Sequence, residues 1–190
     1  MKKILWCIVF AISLAHSAKI DKIHILCGTE CDIKSDGTLD YSQKILKKFD
    51  FVYIGVHTNF SMDEKDMTKR ILSGMENKYV DFLAHPTGRI IGRREPLKIN
   101  IDQLLTKAKE QNIILEINAF PDRLDLNDRL IKQAKEYNIQ FVIGTDSHNS
   151  AHFDFMRYGI ATARRGWCEK KDVINTLSLT QLQKFLKGRR

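Results

Sequence analysis

Phe141-Val142-Ile143-Gly144-Thr145-Asp146-Ser147-His148 sets a short apolar run against a glycine, then a carboxylate and an imidazole two residues apart. The run reads as a buried strand, and the polar residues as what lies beyond its C-terminal end. The same arrangement recurs upstream: residues 51–56 lead into His57, residues 80–84 into His85, and residues 113–117 into Asn118. Between these runs lie stretches of helical period. Met67, Ile71, Leu72 and Met75 follow the capping pattern Ser61-Met62-Asp63-Glu64, and residues 100–111 and 126–137 repeat the theme. Residues 23–26 read as a first strand. A polar turn around Ser35-Asp36-Gly37 and a short helix at 42–48 separate it from the next. Downstream come residues 151–156, a strand at 159–163, and helices at 170–177 and 180–186. The alternation predicts an α/β fold with a mostly parallel sheet, either open and doubly wound or part of a barrel. In both, the C-terminal ends of the strands are the face on which active sites assemble.

The chain has 190 residues, enough for one domain with a real core. With 43% hydrophobic and 28% charged residues, three prolines and ten glycines, it falls outside the disordered, collagen-like and multi-span membrane classes. A formal net charge of +8 favours polyanions such as nucleic acid or an anionic membrane surface. Most of the basic residues are scattered along helix-like stretches, where a solvated surface accounts for them; Arg93-Arg94, Arg164-Arg165 and Lys187-Gly188-Arg189-Arg190 are clustered. Cys7, Cys27, Cys31 and Cys168 lack the spacing of a zinc knuckle. Residues 1–18 combine Lys2-Lys3, an apolar run at 4–14 and the small residues Ala15, Ser17 and Ala18, the pattern of a secretory signal. They read equally well as the start of the domain, and the run is too short for a stable membrane span. The expected organisation is a leader at 1–18 and one domain at 19–190, cytoplasmic, or exported if the leader acts as a signal.

Neutral imidazoles and carboxylates arriving from several strands are what a hydrolytic metal site needs, because its ligands must be deprotonated and one position must stay open for water. A lone histidine after a strand is usually structural; His57, His85 and His148, each after a separate strand and joined by Asp146, point to a metal. Asp146 and His148, alternate residues of an extended segment, would point the same way. Glu30 follows Gly28-Thr29, where glycine allows a ligand close to the backbone. Oxygen and imidazole donors without thiolate suit manganese, zinc or iron. Arg89, Arg93, Arg94 and Arg123 could bind phosphate oxygens, or pair with acids such as Glu95 and Asp125. Glu116 reads as an orienting residue. A Gly-x-Ser-x-Gly elbow is absent, and nothing places a base beside Cys27 or Cys31.

Several stretches carry a family resemblance. They are residues 26–33 (Leu-Cys-Gly-Thr-Glu-Cys-Asp-Ile), 36–41, Val56-His57, His85-Pro86-Thr87-Gly88-Arg89 with Gly92-Arg93-Arg94, residues 115–119 with 121–126, 144–148, and Ala163-Arg164-Arg165-Gly166-Trp167. From about residue 18 to about residue 182 the chain resembles the C-terminal part of a polymerase and histidinol phosphatase (PHP) domain, the one that ends bacterial family X DNA polymerases. The resemblance implies a partial, distorted (βα)7 TIM-like barrel of the PHP type that lacks its first strands. It also implies a manganese- or zinc-dependent phosphodiesterase, with two or three ions in the complete site, acting as a 3′-5′ exonuclease on DNA ends in DNA repair. Glu30, His57, His85, Asp146 and His148 carry over as metal ligands, Glu30 bridging two metals; Arg89, Asn118 and Arg123 are candidates for phosphate binding from their places after strand ends and not from the family motif. The His-x-His motif of the family is not matched upstream of Glu30, where His16 and His24 are unpaired and Asp21 has no matching context. The implied partners are the 3′ end of DNA and the missing polymerase and N-terminal PHP half. The alternatives are a catalytically incomplete remnant that binds nucleic acid or a partner, and a secreted phosphatase.

Overall fold

In the computed structural model, which describes residues 19–20 and 23–189, two short strands, β1 (Lys19–Ile20) and β2 (Ile23–His24), form an antiparallel pair. Next come β3 (Gly28–Asp32), α1 (Gln43–Leu46), β4 (Phe51–Gly55), α2 (Glu64–Met75), β5 (Phe82–Leu83) and α3 (Ile101–Glu110). Then follow β6 (Ile114–Asn118), α4 (Asp128–Glu136), β7 (Phe141–Gly144), α5 (Met156–Arg165) and α6 (Leu179–Lys187). The expected leader at 1–18 lies outside the described residues.

Strands β3 to β7 form one parallel sheet in sequential order. Crossovers of one hand between strands in that order put every connecting helix on the same side. The core follows this rule. Leu46 of α1, Met67, Ile71 and Met75 of α2, Leu104, Leu105 and Ala108 of α3, Ile131 and Ala134 of α4 and Ala163 of α5 pack with Cys31, Val52, Ile54, Leu83, Leu115, Ile117, Phe141 and Ile143 of the sheet. Burial of the larger of these side chains, Val, Leu, Ile, Met and Phe, is worth about 1.5–3 kcal/mol each. The opposite face carries a smaller cluster, Phe51, Tyr53, Phe82, Ile114 and Val142, closed by Ile174 and by Leu182 and Leu186 of α6. Helices α1 to α5 thus cover one face only. A doubly wound sheet carries crossover helices on both faces, so this architecture is instead compatible with part of a TIM-like barrel.

The helices begin where their caps dictate. Asp63 accepts from the Asp66 amide at 2.8 Å, Asn100 from Gln103 at 3.0 Å and Asn127 from Leu130 at 3.0 Å. Ser178 and Gln181 cap α6 reciprocally.

Three local expectations are corrected. The strand expected at 23–26 is Ile23–His24, paired with β1 and outside the parallel sheet, whose first strand is Gly28–Asp32. The apolar run looks more strand-like than Gly-Thr-Glu-Cys-Asp because one face of the latter is polar. The strand expected at 159–163 lies inside α5, since Gly159 and Ala163 fall four apart on its buried side. The helix expected at 170–177 is two separate 3-10 turns, Lys170–Asp172 and Ile174–Thr176. None of the described helices is long and apolar enough to cross a membrane.

Candidate metal centre

Successive residues of a strand alternate between faces. On β3, Cys31 faces the helices, so Glu30 and Asp32 face the other way, Glu30 in register with Tyr53 and Asp32 with Gly55. His57 and His85 lie two residues past β4 and β5. Gly55 makes room for both rings: a Cβ there would stand 3.0 Å from His85 Cε1 and 3.1 Å from His57 Cε1. The three side chains converge. Glu30 Oε1 accepts from His57 Nε2 at 2.9 Å and from His85 Nε2 at 2.8 Å, and one ligand atom from each residue lies within 4.8 Å of the others. Gly28, expected to admit a ligand, instead accommodates Phe51, whose ring would lie 1.9 Å from a Cβ.

Electrostatics bind the cluster together. Burial pushes the Glu30 carboxyl upward, but hydrogen bonds from His57 and His85, with their charge, outweigh it and hold it well below the usual carboxylate range. Burial lowers His57, and the Glu30 and Asp32 carboxylates more than offset this, so its pKa is raised. Glu116 is fully buried. Burial first, then the charges of Glu30 and Asp146, push its carboxyl well above the usual range. It accepts from the His85 amide at 2.8 Å and from Asn118 Nδ2 at 3.3 Å, which is the work of an orienting residue.

Asp146 and His148 are not among the ligand atoms that lie within 4.8 Å of one another in this triad. Asp146 has φ 50°, so the segment turns rather than extending as the sequence suggests. Its Oδ2 accepts from Asn118 Nδ2 at 3.2 Å and pairs with Arg123 Nε at 3.3 Å. The His148 side chain is 65% exposed, and its Nδ1 donates to the Asp146 carbonyl at 2.8 Å, which leaves Nε2 for a ligand. Arg89 donates through Nε to the Arg123 carbonyl at 2.8 Å and through Nη2 to that of Leu124, so it braces the loop that presents Arg123. Arg94 donates to the Gly88 carbonyl and stacks 3.7 Å over Phe60. Neither makes the expected pair with Glu95 or Asp125. Two functional candidates escaped the sequence reading, Asp32 beside His57 and the buried Arg70 behind it. Asp32 sits in a quoted motif but is not distinguished there by residue type, and Arg70 looks like any helix-surface cation.

The residues present fit a divalent cation. One carboxylate oxygen and two imidazole Nε2 atoms already share a centre, and the buried His85 has no partner at Nδ1 among the described residues, its polar contact there being made through Nε2. No thiolate takes part, which suits a hard or borderline ion.

No protein-family model matches the chain. It is 44% identical over 173 residues to the DNA polymerase/3'-5' exonuclease PolX of Bacillus subtilis (strain 168), an overlap of 91% of this chain. The chain spans only 30% of that protein's length. A probable phosphatase of Thermoanaerobacter sp. (strain X514) is 30% identical over 184 residues, 90% of this chain and 71% of its own length. The chain belongs to the PHP family. A probable phosphatase of Clostridium acetobutylicum, 31% identical over 142 residues, matches 70% of this chain and 55% of its own. Within the PHP family this chain corresponds to the C-terminal PHP-like part of the polymerase, and its family and its carboxylate-imidazole triad together point to a divalent metal.

Proposed function

We propose that the chain is a metal-dependent phosphoesterase of the PHP type, built as part of a (βα)7 barrel, that hydrolyses phosphodiesters at the 3′ end of DNA. The observation that carries this reading is the convergence of Glu30, His57 and His85 on one point in a chain whose relatives are named as a 3'-5' exonuclease and as probable phosphatases. These three residues would hold manganese or zinc, with Asp146 and His148 as further ligands. A bound ion of this kind lowers the pKa of water and polarises a phosphoryl oxygen. Glu116 and Asn118 fix the positions of His85 and Asp146. Arg123, braced by Arg89, offers a guanidinium to phosphate oxygens beside Asp146. The polymerase context implies a role in DNA repair, with the remaining PHP segments and the polymerase as partners.

A second reading is a domain that binds nucleic acid without cleaving it. That Asp146 and His148 are not among the clustered ligand atoms of the triad, and the net charge of +8, favour it. An assay of this chain with 3′-labelled single-stranded DNA and Mn²⁺ separates the two. The first reading expects metal-stimulated release of terminal nucleotides, reduced at least a hundredfold in His85→Ala and in His148→Ala, a loss on the scale of removing a catalytic electrostatic group. DNA binding without release supports the second. Release unaffected by either substitution rejects the site.

A further inference from the structure

His57 and His85 both present Nε2 to Glu30, but their other nitrogens differ. His85 Nδ1 is buried with no partner among the described residues, whereas His57 Nδ1 lies 3.3 Å from Asp32 Oδ1. That same Asp32 oxygen accepts from the His57 amide at 3.1 Å, and Oδ2 accepts from Thr58 Oγ1 at 3.5 Å, so both carboxylate oxygens are turned to the segment that carries His57. Arg70 of α2 stands behind. Its side chain is 0% exposed, and its Nη2 lies 4.0 Å from Asp32 Oδ1. It donates through Nε at 2.8 Å and through Nη2 to the Ile33 carbonyl, and through Nη1 to the Thr58 carbonyl at 2.9 Å. One buried cation thereby ties the residue after Asp32 to the residue after His57.

We propose that Asp32, backed by Arg70, is the positioning residue that sets the His57 ring for metal binding. The inference rests on the reading of Glu30, His57 and His85 as metal ligands. An imidazole that donates Nδ1–H to a carboxylate keeps its Nε2 lone pair for the metal, holds its ring plane and becomes a stronger donor; loss of such a partner weakens metal binding typically about 10- to 100-fold. Among the described residues no carboxylate reaches His85 Nδ1, so the effect of Asp32 falls on one ligand of the three.

The test is the Zn²⁺ affinity of the whole chain, measured by competition with a chromophoric chelator, for wild type, Glu30→Gln, Asp32→Asn and Asp32→Ala, with metal-free melting of each. Glu30→Gln is expected to lose tight binding. Asp32→Ala is expected to weaken binding about 10- to 100-fold, with Asp32→Asn in between because it keeps an acceptor oxygen but no charge. In the Zn²⁺-loaded wild type, a ¹⁵N-edited spectrum is expected to show a slowly exchanging His57 Nδ1–H resonance that Asp32→Ala lacks. Wild-type affinity in Asp32→Ala beside a loss in Glu30→Gln overturns the positioning role and leaves the triad standing. Wild-type affinity in Glu30→Gln overturns the triad and the inference with it. Should Asp32→Ala fail to fold, Asp32→Asn decides, since unchanged affinity with an unchanged Nδ1–H resonance overturns the role.

Discussion

His57 sits between two carboxylates, and this governs how the site answers pH. Burial lowers its pKa, but Glu30 and Asp32 raise it above the ordinary 6.5. Its contribution to the stability of the metal-free protein is therefore complete below about 6.5 and is lost as pH rises through the folded value. Glu30 has the opposite sign: burial raises it, the two histidines lower it further, and its contribution is present above the ordinary 4.5 and is lost as pH falls. The pair stabilises the metal-free fold best between those two values. A cation held by the proposed triad would compete with the proton on His57. The rise in melting temperature on adding Zn²⁺ is therefore expected to grow as pH increases through the folded His57 pKa. Melting curves with and without Zn²⁺, taken from about pH 5 to about pH 9, check this; a Zn²⁺ effect that shrinks with rising pH in that window contradicts it.

At the scale of elements, β4 illustrates what the sequence discloses and what it hides. Phe51 to Val56 is plainly a strand by its apolar run, and His57 is marked as special by following it. Helices α2, α3 and α4 were legible because their apolar residues recur at helical spacing after capping residues. β3 was hidden because Gly28–Asp32 holds a single apolar residue, Cys31, too few to show an alternation until its neighbour strand is known. The triad was foreseeable from strand ends. The left-handed turn at Asp146 was not, because an aspartate, unlike a glycine, does not announce a positive φ. Nor does the sequence explain Gly55, whose missing side chain is the space for two imidazoles. In Gly55→Ala both rings must yield, at about 1–3 kcal/mol of strain, so Zn²⁺ affinity is expected to fall roughly tenfold or more. Chelator competition measures it, and an affinity equal to wild type shows that the rings have slack.

For the molecule as a whole, the sheet divides its duties by face. Helices α1 to α5 pack on one side, and on the other α6 closes the end opposite the triad, with Leu182 and Leu186 against Phe51, Tyr53, Phe82 and Val142. Leu186→Ala is expected to cost about 2–5 kcal/mol of stability, read by denaturant unfolding, while leaving Zn²⁺ affinity within about twofold of wild type. A large loss of affinity in this variant means that the two ends of the face are coupled. The alternation that places Cys31 among helices and Glu30 among imidazoles also separates two kinds of heritable change. Selection for tolerance of heat can act through Cys31, Leu115 and Ile117, while selection for a new substrate can act through Glu30, Glu116 and Asn118 on the same two strands, β3 and β6. Neighbouring codons of one strand thus offer lineages two nearly independent routes of adaptation.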